Sequence, residues 1–222
     1  MKKALLTVAT PEIASLCQPF LENHRLYAEA RGYDYLQTSE KFWPDLHPSF
    51  TKVHVIREAM LAGYKEIVWA DADVAFMDFR VDLADLLKKD IFMAGYHQAN
   101  WKLWKYICAG LTVWKRTADA MDFVDEWHER CTIGTLRIEP KKRVIVTYPP
   151  WEQWYMDEII RETAFKGIYA ASAEEIGCFC PEMWHDGILW RKGMPTIHFA
   201  GQHTWERRVE VFEQIYKPLI VT

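Results

Sequence analysis

Residues 65 to 78, KEIVWADADVAFMD, constrain the fold more than any other stretch of the chain. Ile67, Val68, Trp69 and Ala70 form a short apolar run after Gly63 with no helical stripe. That pattern predicts a strand buried on both faces, in the middle of a largely parallel sheet. The run stops at two carboxylates separated by one small residue, Asp71 and Asp73. Open α/β sheets bind ligands at the carboxyl ends of their strands, which is where these acids should emerge. Carboxylates this close repel each other unless a cation lies between them. Magnesium and manganese take oxygen ligands of this kind, together with substrate phosphates. The competing reading is a solvated acidic turn, which a bare Asp-x-Asp does not exclude.

The flanking segments predict the rest of an α/β domain. Residues 3 to 9 read as a first strand, and Thr10 followed by Pro11 as a helix N-cap with proline at the first helical position. Ile13, Leu16 and Phe20 recur at helical spacing, Pro19 should kink or split the segment, and Gly32 should stop it before a second strand at 33 to 36. A helix over 49 to 62 shows Val53, Ile56 and Met60 on one face and ends at Gly63. Lys52 falls in its first turn, where the helix dipole disfavours a cation, so it either faces an anion or is solvated. Further strands are expected at 91 to 96, 107 to 114, 144 to 148 and 168 to 170, with helices at 118 to 131 and 151 to 165. Pro149-Pro150 marks a break, and residues 195 to 208 read as a last strand, a glycine turn and a closing helix. The order favours a mostly parallel central sheet flanked by helices.

No Pro/Gly/Ser-rich linker or charge block divides the 222 residues, so a single domain over 1 to 222 is expected. A net charge of −4 gives no footprint for non-specific binding to nucleic acid or anionic membranes. The apolar run after Met1 ends at Thr10-Pro11, too soon for a signal peptide, and no run reaches membrane-spanning length. Five cysteines are odd in number and irregularly spaced, and Cys178 and Cys180 lack a second pair for a zinc site. Reduced thiols and a cytoplasmic protein are the expectation.

The densest signal, SFTKVHVIREAMLAGYKEIVWADADVAFMD at 49 to 78, resembles the corresponding segment of GT-A (Rossmann-like) glycosyltransferases of the glycogenin-like family. It is similar as well to the fungal and plant galactosyl- and xylosyltransferases, as is NHRLYAEARGYDY at 23 to 35. The resemblance implies a nucleotide-sugar donor, a UDP-sugar, a manganese or magnesium ion at the DXD motif and transfer with retention of configuration. It implies that His198 of His198-Phe-Ala-Gly201 is the third metal ligand, while Gly201 lets the backbone approach the diphosphate. It also implies that Val8, Ala9 and Thr10 line the nucleotide pocket, that Lys52 faces phosphate, and that Ala109-Gly110 forms a small-residue turn against the donor sugar.

The chain departs from the glycogenin-like pattern after Gly201, where the phosphate-binding lysine is missing. His203, Arg207 and Arg208 are the candidate replacements. In the resembling families an acidic residue followed by glutamine stands beside the anomeric carbon, and for it the helix at 151 to 165 offers two registers, Glu152-Gln153 and Asp157-Glu158. Asp157 is preferred, with Gln153 as the rival. Trp43, Trp101, Trp104, Trp151, Trp154, Trp184 and Trp190 fall in or beside loops, and two or three should touch the acceptor. That acceptor is expected to be a glycan or small molecule, with a modified nucleobase left open. Two other readings compete: a phosphohydrolase with Asp71 as nucleophile, and a carbohydrate-binding relic. Against the first, Ala75 stands where a threonine or valine would be wanted. Against the second, all three candidate metal ligands remain.

Overall fold

Strand β1 (Lys3–Val8) is buried from Ala4 onward and delivers the chain to Thr10, whose extended backbone starts helix α1 (Pro11–Ala14) with proline at its first position. Helix α2 (Gln18–Arg31) begins anew with Pro19 in its first turn and stops on Gly32, which adopts φ 70°. The split expected of Pro19 is therefore present, because a proline there has no N–H to continue α1. Strand β2 (Asp34–Thr38), helix α3 (Thr51–Leu61) and strand β3 (Glu66–Ala70) follow. Next come β4 (Val74–Phe76), β5 (Met93–His97), β6 (Ile107–Lys115) and the long helix α4 (Ala118–Leu136). Helix α5 (Glu152–Glu162), β7 (Ile168–Ala171), α6 (Ala173–Ile176), β8 (Cys178–Phe179), β9 (Thr196–His198) and α7 (Trp205–Val211) complete the order.

This computed structural model describes residues 1–44, 46–97, 107–136, 151–163, 165–184, 188–201 and 203–222. The strand expected at 144 to 148, the Pro149-Pro150 break, Trp101 and Trp104 lie outside the described residues.

The main sheet has the order β2-β1-β3-β6-β5-β7. Five strands run one way and β6 is reversed, pairing antiparallel with both β3 and β5. The apolar run at β3 is covered on both sides as expected. Ile67 and Trp69 pack with Val53, Ile56, Met60 and Trp127, on the face held by α3 and α4. Val68 and Ala70 pack with Tyr27 of α2 and Phe76 on the other face. Alternation along a strand explains the division, since successive side chains point to opposite faces.

A small second sheet, β4-β9-β8, lies against the end of β3. It sets Val74 opposite His198 in antiparallel register. The other edge of β4 is satisfied by side chains of α2. Asn23 donates to Phe76 O at 2.9 Å and accepts from Phe76 N at 2.7 Å, and the His24 ring nitrogen Nε2 meets Val74 O at 2.7 Å. A three-residue strand bonded on both edges cannot fray without exposing paired backbone groups, so its position is well determined. All five cysteines are buried and free.

Candidate active site

The carboxyl ends of β1 and β3 open on a cavity of about 470 Å³. Val8, Thr10 and Ile13 form one wall, and Gly201, His203, Trp205 and Arg208 a second. His47, Pro48, Ser49 and Trp151 form a third, and Asp71 and Asp73 lie between them. Val8, Thr10, Gly201 and His203 thus border one cavity. Ala9 instead turns into the core, its N–H donating to Thr38 O at 2.9 Å.

Asp71, Asp73 and His198 converge, each offering one ligand atom within 4.8 Å of the others. The β4–β9 pairing is what brings them together. Phe199 N donates to Asp73 O at 2.8 Å, and His198 Nε2 lies 3.1 Å from Asp73 Oδ1. The imidazole is seated from behind. Tyr96 of β5 puts its hydroxyl 2.8 Å from His198 Nδ1, and Phe179 of β8 stacks on the ring at 5.5 Å. A Cβ at Gly110 would fall 2.3 Å from His198 Cε1, so only glycine leaves room for the ring.

Ala109 and Gly110 are accordingly not a turn. They lie within β6, and the reason is pairing: the strand continues through them, and Gly110 O accepts Asp71 N at 2.8 Å. Their work is to seat His198 and Asp71 from below.

Lys52 turns inward, toward carboxylates of the protein. Its ammonium is 1% exposed, does not line the cavity, and reaches Asp71 Oδ1 at 2.9 Å, Glu152 Oε1 at 2.8 Å and Ala109 O at 3.1 Å. The anions it faces belong to the protein. Burial disfavours the ammonium, but Asp71 and Glu152 outweigh it and push its pKa up. The same burial would push Glu152 up, and Lys52 holds it below the usual carboxylate range. Trp69 Nε1 donates to Asp71 Oδ1 at 2.8 Å, so Asp71 is fixed from two sides.

Of the three candidate cations after Gly201, Arg208 reaches the acids. One guanidinium nitrogen is 3.2 Å from Asp73 Oδ2, another donates to Gly201 O at 2.7 Å, and the group lies over Trp205 at 4.8 Å. Arg207 pairs with Glu210 on the exposed face. Burial alone would raise Asp73, but His198 and Arg208 dominate and hold it at about 2. Burial would likewise lower His198, and its contact with Asp73 carries it instead to about 10.

On α5 the two registers separate. Glu152 joins Lys52, and Gln153 Oε1 accepts Ala109 N at 3.1 Å. Asp157, one turn on, lies beside Ile107, and among the described residues neither of its oxygens completes a hydrogen bond. Burial pushes its carboxyl up to about 7, with Ile107 and Arg161 offsetting only part.

No family model matches the chain. Over 114 residues, 49% of this chain, it is 26% identical to a probable glycosyltransferase 6 of Oryza sativa subsp. indica, and equally to that of subsp. japonica. The match spans 24% of the length of those relatives, so the matched part of the chain corresponds to about a quarter of them. The crystal structure of a glycosyltransferase involved in the glycosylation of the major capsid of PBCV-1 aligns with 97% of this chain and 100% of its own, with a TM-score of 0.69 and 18% identity. The chain has a glycosyltransferase fold. A comparison by sequence and a comparison by structure thus both lead to glycosyltransferases, in line with the resemblance carried by residues 49 to 78. No described helix is long and apolar enough to cross a membrane.

Sequence reasoning missed three parts of this glycosyltransferase-fold site: Tyr96, Trp69 as a donor to Asp71, and Glu152 as the second partner of Lys52. Only Trp69 had a local signal. Two residues from Asp71 along an extended strand, it lies on the same side as the acid.

Proposed function

We propose that this protein transfers a sugar from a nucleotide-sugar donor, a UDP-sugar, to a hydroxyl acceptor, with retention of configuration and with a divalent cation at Asp71, Asp73 and His198. The observation that carries the reading is the convergence of those three side chains in a glycosyltransferase fold, with Asp71 and Asp73 lining the cavity and His198 meeting them from behind. Two carboxylates and an imidazole within 4.8 Å of one another fit manganese or magnesium. When bound, the ion neutralises charge developing on the diphosphate leaving group.

The chain's own residues supply the rest. Lys52 and Trp69 fix Asp71, so this ligand is held before any substrate arrives. Arg208 lines the cavity beside Asp73, well placed to answer a phosphate with a second cation, and Gly201 at φ 122° allows backbone to approach it. Val8 and Thr10 form the wall for the nucleoside. For the donor sugar, the Lys52–Glu152 contact ties the Glu152-Gln153 register to the acids and supports Gln153 over Asp157. Retention asks for a polar residue that steadies the sugar, where inversion would need a general base opposite the leaving group. A glutamine suits the first role and not the second.

The test is a screen of nucleotide sugars for manganese-dependent hydrolysis, followed by proton NMR of the first product formed. An α-anomer from an α-donor is expected. A β-anomer would overturn retention, and hydrolysis of simple phosphate esters in place of nucleotide sugars would favour a phosphohydrolase with Asp71 as nucleophile.

The seat of His198 gives a second expectation. Tyr96 holds the ring at Nδ1 and leaves Nε2 turned toward the acids, and loss of such a partner costs about 10- to 100-fold in metal affinity. Tyr96→Phe should weaken manganese binding in calorimetry by this order while the fold, followed by circular dichroism, stays intact. Unchanged manganese affinity would mean that packing against Phe179 and Gly110 suffices.

A further inference from the structure

The nucleotide-sugar reading accounts for two walls of the cavity and leaves the third, formed by His47, Pro48, Ser49 and Trp151, without a role. Trp151 is 41% exposed, while Trp69, Trp114 and Trp127 are fully buried. Among the described residues, Trp151 is the exposed large hydrophobic side chain that borders this cavity. Leaving an indole in water forgoes much of the stabilisation its burial would give, so an exposed one beside a site calls for a ligand.

The exposed ring stands on fixed backbone. Trp151 O accepts Trp154 N at 2.8 Å at the start of α5. The next carbonyl, Glu152 O, accepts Trp127 Nε1 at 2.8 Å, and the Glu152 carboxylate is held by Lys52. His47 meets the indole edge-to-face with ring centroids 4.7 Å apart, and its own ring is kept in place by Ser49, whose N–H donates to Nδ1 at 3.3 Å. The ligand therefore meets a preorganised aromatic surface that loses little entropy on binding. The four residues of this wall carry no carboxylate, ammonium or guanidinium. That favours a neutral ligand with a flat apolar face, which is what the C–H side of a pyranose ring presents.

We infer that Trp151, steadied by His47, is the platform for a sugar ring of the acceptor, so that the hydroxyl glycosylated here belongs to a carbohydrate. The inference rests on the glycosyl-transfer reading above. The contact through Glu152 and Lys52 to Asp71 couples the platform to the acids, so a ring stacked on Trp151 is held in register with the donor end of the site. Trp151 is in these terms a specificity-determining residue.

Saturation-transfer NMR with maltose, cellobiose and lactose, on the full chain with UDP and manganese, tests it. At least one disaccharide should receive saturation, strongest at its ring C–H protons. Its affinity should fall about tenfold or more in Trp151→Ala, the usual loss for an aromatic anchor, and largely return in Trp151→Phe. UDP affinity, measured by calorimetry on the same proteins, should not follow the sugar affinity. Absence of disaccharide binding to the UDP-bound wild type, or binding indifferent to Trp151→Ala, would overturn the inference. So would UDP affinity falling in parallel, which would assign the indole to the donor, or displacement of the sugar by adenosine, which would point to a nucleobase acceptor. Failure of the wild type to bind UDP at all would strike the glycosyl-transfer reading itself. UDP binding without sugar binding strikes only the platform.

Discussion

Lys52→Ala is expected to destabilise the protein by about 3 to 5 kcal/mol, the usual cost of removing one partner from a buried ion pair. Glu152 is buried with Lys52 as its cation, and Asp71 shares the same ammonium. With the lysine gone, Glu152 must stay charged without a partner or take up a proton, and either choice costs free energy. Asp71 is more open to solvent and should contribute the smaller part of the loss. A shift of the urea midpoint, with the slope of the transition unchanged, would report this directly. The double variant Lys52→Met/Glu152→Gln should recover much of the stability, because no unpaired charge is then left inside. It should not recover transfer, because Asp71 would have lost the group that aims it. A Lys52→Ala protein with the wild-type midpoint would refute the buried triad. A fully active double variant would show that aiming Asp71 does not matter.

The contrast with the sequence is instructive at this residue. Position alone placed Lys52 in the first turn of a helix and left two readings open, an anion nearby or a solvated side chain, and the structure shows the first. It did not say whose anion, because Glu152 lies a hundred residues further along and nothing local links the two. The pieces that were legible are short strings whose chemistry is complete in itself. Thr10-Pro11 starts α1, Gly32 ends α2, and an apolar run ending in Asp71-x-Asp73 is a strand delivering acids to a sheet edge. His198 required the resemblance, since its neighbour Asp73 is fixed only by the β4–β9 register.

Arg208 was distinguishable in principle from Arg207. Thr204 caps α7 by accepting Arg207 N at 3.3 Å, which sets the helical phase. Trp205 and Arg208, three apart, then share a face, and Arg207 points about 100° away. Ala109-Gly110 misled for the opposite reason. Small residues suggest a turn when read alone, whereas here Gly110 lacks a side chain because the His198 ring fills the space above it.

The largest catalytic effect should come from Asp73→Asn. Both oxygens of Asp73 are engaged, one by His198 Nε2 at 3.1 Å and the other by Arg208 at 3.2 Å, and the carboxylate is held at about 2, so it is ionised at every working pH. An asparagine keeps the shape and withdraws the charge. The proposed cation would then lose one anionic ligand, and His198 and Arg208 would lose the carboxylate that both of them contact. Removing one group that stabilises developing charge typically costs about 10²- to 10³-fold in kcat, and losing the ion with it should take the effect to the upper end. Asp78→Asn serves as the comparison, because among the described residues that carboxylate bonds to the exposed Arg80, at 2.8 Å to its guanidinium, away from the acids. Initial rates of donor hydrolysis across a manganese titration would separate the cases. Asp78→Asn should follow the wild-type curve, and Asp73→Asn should show no saturable manganese dependence. If Asp73→Asn keeps a wild-type manganese optimum and turns over within about threefold of wild type, the charge of Asp73 is not what the site uses. The convergence with His198 would then be a structural pair holding β4 to β9.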